Sequence, residues 1–144
     1  MLFRSNDAAL WDSDFLEGIA EDYLSTRWFI NRYEELSGKE LDGVKDLLAL
    51  ITIDQHSAQV FREFGHNLGR FMIPLIKRYQ LEMVILGGNI SLAFDAFSPA
   101  MKTALEADQI TAAIRITTLQ ENAALIGAAS CLEAQVKINS FELP

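Results

Sequence analysis

A short apolar run that ends in two glycines constrains the fold more than any other feature of this chain. Residues 83–91 read Met-Val-Ile-Leu-Gly-Gly-Asn-Ile-Ser, a pattern typical of a buried strand that enters a tight turn and then a helix. Because glycine has no Cβ, the backbone at Gly87 and Gly88 can approach a ligand closely, and a following helix favours anionic groups at its start. We predict a binding site at residues 87–91. A turn that binds nothing is the alternative.

The composition indicates a single globular domain over residues 1–144. Half of the residues are hydrophobic, which is enough to build a core in a chain of this length. The formal net charge of −8 argues against binding to nucleic acids or anionic membranes, because both need clustered Lys and Arg. No apolar run reaches the roughly 18 residues that span a bilayer, and the single cysteine, Cys131, cannot form an internal disulfide. We expect a soluble, cytoplasmic protein.

Apolar residues at helical spacing predict helices in the first third of the chain. The first stretch runs from Leu16 to Leu36 and divides at Ser25, whose hydroxyl can cap the second of two helices. Gly38 suits the left-handed residue that closes that helix. Asp42 is the predicted cap of a short helix that follows.

The longest predicted helix runs from about Gln55 to Tyr79, with Asp54 as its cap. Its apolar side chains form one broad stripe, which we interpret as core rather than as a cofactor site. The stripe consists of Phe61, Phe64, Leu68, Phe71, Met72, Leu75, Ile76 and Tyr79. Gly65 and Gly69 are four residues apart, so another helix can approach this one closely.

The predicted order is helix, helix, helix, strand, helix, strand, helix. After the glycine turn, the helical stretch is predicted to break at Ser98-Pro99, because serine is a common cap and proline fits the first helical position. Ile110–Thr117 is the second predicted strand. Thr118–Glu121 matches a capping box, which opens a final helix of small residues.

Three segments, in this order and spacing, resemble the C-terminal half of the ROK family of repressors, open reading frames and sugar kinases. They are Glu21–Arg27, Val84–Ser91 and Leu125–Ala129. The family includes bacterial glucokinases and falls in the actin-like, hexokinase-like ATPase superfamily. The resemblance covers about residues 11–133. It implies an α/β fold: a helix-rich, partial ribonuclease-H-like lobe with few strands flanked by helices, the C-terminal lobe of a ROK-type sugar kinase.

The resemblance also implies site residues. Gly87 and Gly88 are similar to the glycine pair that approaches the adenosine and neighbouring phosphate of the nucleotide, with Asn89 and Ser91 as weaker contacts. Glu21 matches the glutamate that accepts hydrogen bonds from sugar hydroxyls, a task that suits a charged acceptor. From the residue alone, a solvated helix charge is the alternative for Glu21. The implied ligands are ATP with magnesium and a hexose such as glucose or an N-acetylated hexose.

The chain departs from the family at its zinc site. Where the family carries three zinc-binding cysteines before the glutamate, this sequence has Asp12, Asp14 and Ile19. Isoleucine cannot ligate a metal, and structural zinc prefers four Cys or His ligands. His56 and His66 stand ten residues apart with no cysteine nearby. We therefore predict no zinc.

A second departure concerns catalysis. Sugar phosphorylation in the family uses a phosphate-holding loop, an aspartate base and magnesium, and the resemblance places all three before the region present here. Asp54 fits better as a helix cap than as a lone base. We expect no catalytic residue in this chain and no activity from it alone. A non-catalytic, sugar-sensing ROK regulator fragment or partner-binding module is the alternative function.

Self-association is the last expectation from the sequence. Two short strands leave a sheet edge and an apolar face uncovered, and such surfaces favour association. We predict a homodimer that uses the face of the long helix carrying Gly65 and Gly69.

Overall fold

A computed structural model gives the structure of the chain and describes residues 10–117. The helices in this range are α1 (Ala20–Leu24), α2 (Thr26–Ser37), α3 (Val44–Ala49), α4 (Gln55–Tyr79) and α5 (Phe94–Ala107). The strands are β1 (Asp14–Phe15), β2 (Gly18–Ile19), β3 (Met83–Leu86) and β4 (Ala113–Ile116), and 3-10 turns cover Leu10–Asp12 and Asn89–Ala93. No helix within residues 10–117 has both the length and the apolar content to cross a membrane. The predictions for Thr118–Glu121, the final helix, Leu125–Ala129 and Cys131 lie outside this range.

The core lies where α2, α4 and α5 meet. The Phe64 ring on α4 has its centroid 4.4 Å from that of Phe29 on α2 and 5.1 Å from that of Phe97 on α5. All three rings are buried, and aromatic side chains contribute the largest buried areas in a core of this kind. The prediction that the apolar stripe of the long helix forms core is confirmed by Phe61, Phe64, Met72 and Ile76, which are all buried.

Three helix ends predicted from capping chemistry are confirmed, whereas the predicted caps Asp42 and Ser98 are wrong. The Ser25 hydroxyl accepts a hydrogen bond from the Trp28 N–H at 3.3 Å, and the Asp54 carboxylate accepts one from the His56 N–H at 2.8 Å. Gly38 closes α2 with a φ of 70°. The predicted Asp42 cap is wrong, because α3 begins one residue later, with Gly43 at its N-cap and no side-chain bond there.

Two predicted element boundaries are also wrong. Leu16–Ile19 is not helical: β1 and β2 form an antiparallel hairpin, with Phe15 opposite Gly18. The chain does not restart a helix at Ser98-Pro99, because α5 begins at Phe94 and continues through the proline. Proline at this position removes one helical hydrogen bond, and the burial of Phe97 and Met101 against α4 outweighs that loss.

Glycines set the close packing of α4 on α5. A Cβ added to Gly65 would overlap the carbonyl group of Phe97, and one added to Gly69 would lie 2.8 Å from the Ala104 Cβ. Helix axes come this close only where small residues face each other. The face that we predicted as the dimer surface is therefore covered by α5 of the same chain, and that part of the prediction is wrong.

The parallel pair β3–β4 confirms both predicted strands, with Met83 opposite Ala113 and Leu86 opposite Ile116. Val84 and Leu86 pack against the helical core. The opposite face is open, since Met83 is 51% exposed and Ile85 is 64% exposed. The prediction of a buried strand is therefore correct for one face only, because the helices of residues 10–117 cover one face of β3.

Two polar links join α2 to α4. The Tyr33 hydroxyl donates to the Asp54 carboxylate at 2.7 Å, and the Arg32 guanidinium donates to both oxygens of Glu63, at 2.7 and 3.1 Å. The bond from Tyr33, and then the bond from the His56 N–H, lower the pKa of Asp54. The bond from Arg32 lowers the pKa of Glu63. Both links therefore favour the ionised form of the carboxylate.

Substituting Gly65 with alanine tests the helix contact. Alanine gains about 1 kcal/mol of helix propensity over glycine, but its Cβ would overlap the Phe97 carbonyl. We expect Gly65→Ala to lower the free energy of unfolding by about 2 kcal/mol, measured by urea denaturation. Gly43→Ala is the control, because no atom lies within 4 Å of a Cβ there. An unchanged stability in Gly65→Ala would contradict the close contact.

The pH dependence of stability tests the Tyr33–Asp54 link. The folded state lowers the pKa of Asp54, so the carboxylate stabilises the fold at neutral pH, and this contribution is lost as pH falls through the folded pKa. We expect the free energy of unfolding to fall with acidification below about pH 4, and Tyr33→Phe to make that fall shallower. Denaturation curves between neutral and acidic pH measure the slope. An equal slope in both proteins would refute the link.

Candidate functional site

The glycine turn lies at the surface between β3 and α5. Gly87, Gly88 and Asn89 are exposed, and Gly88 has φ 83° and ψ 178°, a conformation that is essentially restricted to glycine. A Cβ on Gly87 would lie 3.0 Å from the Thr117 side chain. Gly88 therefore needs glycine for its backbone conformation, and a side chain at Gly87 would crowd Thr117, both independently of any ligand.

Ser91 orders this turn from the inside. Its side chain is buried, and the hydroxyl donates to the Gly88 carbonyl oxygen at 2.6 Å while the Ser91 N–H donates to the same oxygen at 3.1 Å. The structure thus places Gly88 and Asn89 on the outside of the turn and Ser91 behind them.

The turn stands at the carboxyl end of both parallel strands. Gly87 follows β3, and Thr117 follows β4 and donates its N–H to the Leu86 carbonyl oxygen at 2.9 Å. In open α/β sheets, ligands bind outside the carboxyl ends of the strands. Residues 87–91, the site predicted from the sequence, begin at this carboxyl edge.

Two cavities formed by residues within 10–117 flank the turn. The smaller, of about 160 Å³, lies on the core side between α1, α4 and α5. It is lined by Leu24, Phe64, Leu68, Leu86, Gly87, Ile90, Ser91 and Phe97. Ligand pockets usually measure about 300–1,000 Å³, so this space is too small for a nucleoside.

The larger cavity, of about 600 Å³, lies on the other side of the glycine turn. It is formed between α3 and the 3-10 turn at Asn89–Ala93. Its walls are mostly apolar, and among the lining residues within 10–117 only Lys45 carries a charge. The lining residues are Thr26, Gly43, Val44, Lys45, Leu48, Asn89, Ile90, Leu92 and Ala93. An apolar pocket with a few polar groups at its rim is the usual form of a small-molecule site.

Glu21 lies on a neighbouring element. It is exposed on α1 and lines neither of the two cavities beside the turn. Leu24, one helical turn further along α1 and hence on a similar side of the helix, lines the small cavity together with Gly87. The predicted sugar-binding carboxylate and the glycine turn are therefore carried by elements that meet at the small cavity.

The residues at the family's zinc positions lie in or beside the β1–β2 hairpin. Asp12 and Asp14 are exposed, and Ile19 uses its backbone N–H in a hydrogen bond to the Asp22 carboxylate at 3.1 Å. Across residues 10–117, no group of three or more His, Cys, Asp or Glu side chains is arranged to hold a metal ion. The His56 Nδ1 atom lies 3.3 Å from the Asp54 Oδ1 atom, and His66 is exposed.

Sequence reasoning missed the wall of the larger cavity that α3 provides. Val44, Lys45 and Leu48 lie there, whereas the sequence indicated only that α3 has an apolar face. No local signal pairs α3 with Asn89, because the contact joins segments that are far apart in the chain.

The sequence model of the ROK family matches residues 17–135, a range that includes the glycine turn, both cavities and Glu21. The chain belongs to the ROK family. No curated protein sequence matches it. The family assignment therefore rests on a match that covers most of the chain.

Two solved structures show that the ROK fold is present. A protein of Cytophaga hutchinsonii, described as a sugar kinase, matches with a TM-score of 0.77 and 23% identity over 91% of this chain and 50% of its own. The ROK hexokinase of Thermus thermophilus matches with a TM-score of 0.66 and 23% identity over 85% of this chain and 42% of its own. The chain thus spans half or less of either protein. Its fold is a helix-rich α/β segment corresponding to part of a ROK kinase, an actin-like ATPase fold.

Proposed function

We propose that this chain forms the nucleotide side, and one sugar contact, of a ROK-type sugar kinase that transfers a phosphoryl group from ATP to a hexose. The observation that carries the proposal is the position of the glycine turn. Gly87 and Gly88 are exposed at the carboxyl edge of the sheet, and the next residue, Asn89, lines the larger cavity.

The larger cavity suits the nucleoside of ATP. Its volume of about 600 Å³ falls in the range of small-molecule pockets, and apolar walls favour a planar base. Lys45 at its rim is exposed and supplies an ammonium group, a common partner of phosphate. With Gly88 and Asn89 on the outside of the turn, the backbone can approach the sugar or phosphate of the nucleotide without a side chain between them. Ser91 supports the turn from behind.

Glu21 is the proposed contact to the hexose. The carboxylate is exposed at the start of α1, where it can accept hydrogen bonds from sugar hydroxyls, and bonds to a charged acceptor are stronger than neutral ones. A hexose held by Glu21 lies beside α1. The same helix reaches the glycine turn, since Leu24 of α1 lines the small cavity together with Gly87.

The residues described at the two cavities beside the turn do not supply the reacting groups. No carboxylate lines either cavity beside the turn, so neither a base for the sugar hydroxyl nor a protein ligand for magnesium is available from residues 10–117 at that point. In the proposal, magnesium arrives with the phosphates of ATP, and the general base comes from another part of a complete ROK kinase. The proposed activity of this chain alone is binding without transfer. The homodimer remains a prediction without an assigned surface.

Isothermal titration with ATP and magnesium tests the nucleotide contact. We expect the chain to bind, and Gly88→Ala to weaken binding about tenfold or more, because a Cβ forces the turn out of its conformation and stands where the ligand approaches. Gly38→Ala is the matched control. Gly38 also has a positive φ, 70°, and no atom lies within 4 Å of a Cβ added there. The Gly38→Ala variant therefore introduces backbone strain away from the site.

Equal weakening of ATP binding in Gly88→Ala and Gly38→Ala would attribute the effect to lost stability and contradict the contact.

The sugar contact is tested by the same titration with glucose and with N-acetylglucosamine. The wild type is compared with Glu21→Gln, and Glu17→Gln is the control for the loss of an exposed carboxylate. Hexose binding without nucleotide binding would favour the sugar-sensing regulator. No binding of any of these ligands would favour a partner-binding module.

A further inference from the structure

The β1–β2 hairpin directly precedes Glu21 and stands where the ROK family carries its zinc ligands. The residues present there do not fit zinc. Ile19 has no donor atom in its side chain, and the carboxylates of Asp12 and Asp14 are both exposed, whereas structural zinc takes four Cys or His ligands. The hairpin is short, with two residue pairs between its strands. Since an isolated hairpin of this size is unstable in water, other contacts must hold it.

Aromatic rings supply one such contact. The Phe15 ring of β1 stands edge-on to Tyr23 of α1, with centroids 5.7 Å apart and planes at 86°. It also stands edge-on to Phe71 of α4, at 5.4 Å and 80°. Edge-to-face pairs at these distances are favourable beyond the area they bury. Phe15 therefore ties the hairpin to the longest helix and to the helix that carries Glu21.

Backbone hydrogen bonds supply the other. The Ala20 N–H donates to the Ser13 carbonyl oxygen at 2.9 Å, and the Ile19 N–H donates to the Asp22 carboxylate at 3.1 Å. Gly18 leaves room for the second bond, because a Cβ there would lie 2.5 Å from the accepting Asp22 oxygen and displace it. These two bonds fix the first turn of α1, and Glu21 is the next residue after Ala20.

We propose that the aromatic clamp formed by Phe15, Tyr23 and Phe71 takes the place of a metal in this chain and sets the direction of Glu21. Phe15 and Phe71 are then positioning residues, which act on Glu21 through the hairpin and the start of α1. The fold of this segment is accordingly independent of zinc. The part that concerns Glu21 rests on the proposed function, whereas the clamp itself does not.

Amide hydrogen exchange of the full chain tests the clamp, read at the N–H groups of Ile19 and Ala20. We expect Phe15→Ala to speed exchange at both positions by about tenfold, because two ring pairs are lost. Phe15→Leu keeps an apolar side chain and should give a smaller increase. Trp11→Ala is the control, since Trp11 is a nearby aromatic residue that is 60% exposed. It should leave both rates unchanged.

Chelation completes the test. We expect treatment with EDTA, or addition of zinc, to leave the exchange rates and the melting temperature of the wild-type chain unchanged. Faster exchange after EDTA, or wild-type exchange rates in Phe15→Ala, would overturn the clamp.

Glucose titration separates the two proposals. If the clamp holds and the wild type binds no hexose, then the role of Glu21 fails while the clamp stands. If the wild type binds and Phe15→Ala binds equally well, the positioning role fails.

Discussion

The close contact between α4 and α5 is the constraint on which the rest of the structure depends. Gly65 and Gly69 leave no room for a side chain between the helices, so Phe97 and Met101 lie directly against α4 and are buried. Because a core packs at the density of a solid, this contact fixes where α5 begins as well as where it runs. The glycines of α4 thus allow α5 of the same chain to pack closely against it.

The position of the candidate site follows from that contact. The segment before α5 is a 3-10 turn, and before it comes the glycine turn, whose Gly88 carbonyl is held by Ser91. On its other side, β3 packs Val84 and Leu86 against the same helices. The turn is therefore fixed at both ends by packed elements while Gly88 itself stays exposed. A rigid frame that presents an exposed backbone is what close recognition of a ligand requires.

Features of short range were accessible from the sequence, and features set by distant contacts were not. Ser25, Gly38 and Asp54 were identified as helix ends because a cap bonds to its own helix. The hairpin at residues 14–19 was missed because its stability comes from Phe15 against Phe71, far along the chain. The helix across Pro99 was missed because burial against α4 decides it. At the site, the glycines were visible in the sequence, but the cavity wall carried by α3 was not, for the same reason.

The central claim is that the outside of the glycine turn and the α3 wall together receive a nucleotide. Two-dimensional NMR of the isotope-labelled chain, titrated with a magnesium-bound, non-hydrolysable ATP analogue, measures this directly. We predict the largest amide shift changes at Gly88 and Asn89 and, across the cavity, at Val44 and Lys45. Saturation of the chain with the analogue, without changes at these four amides, would contradict the central claim.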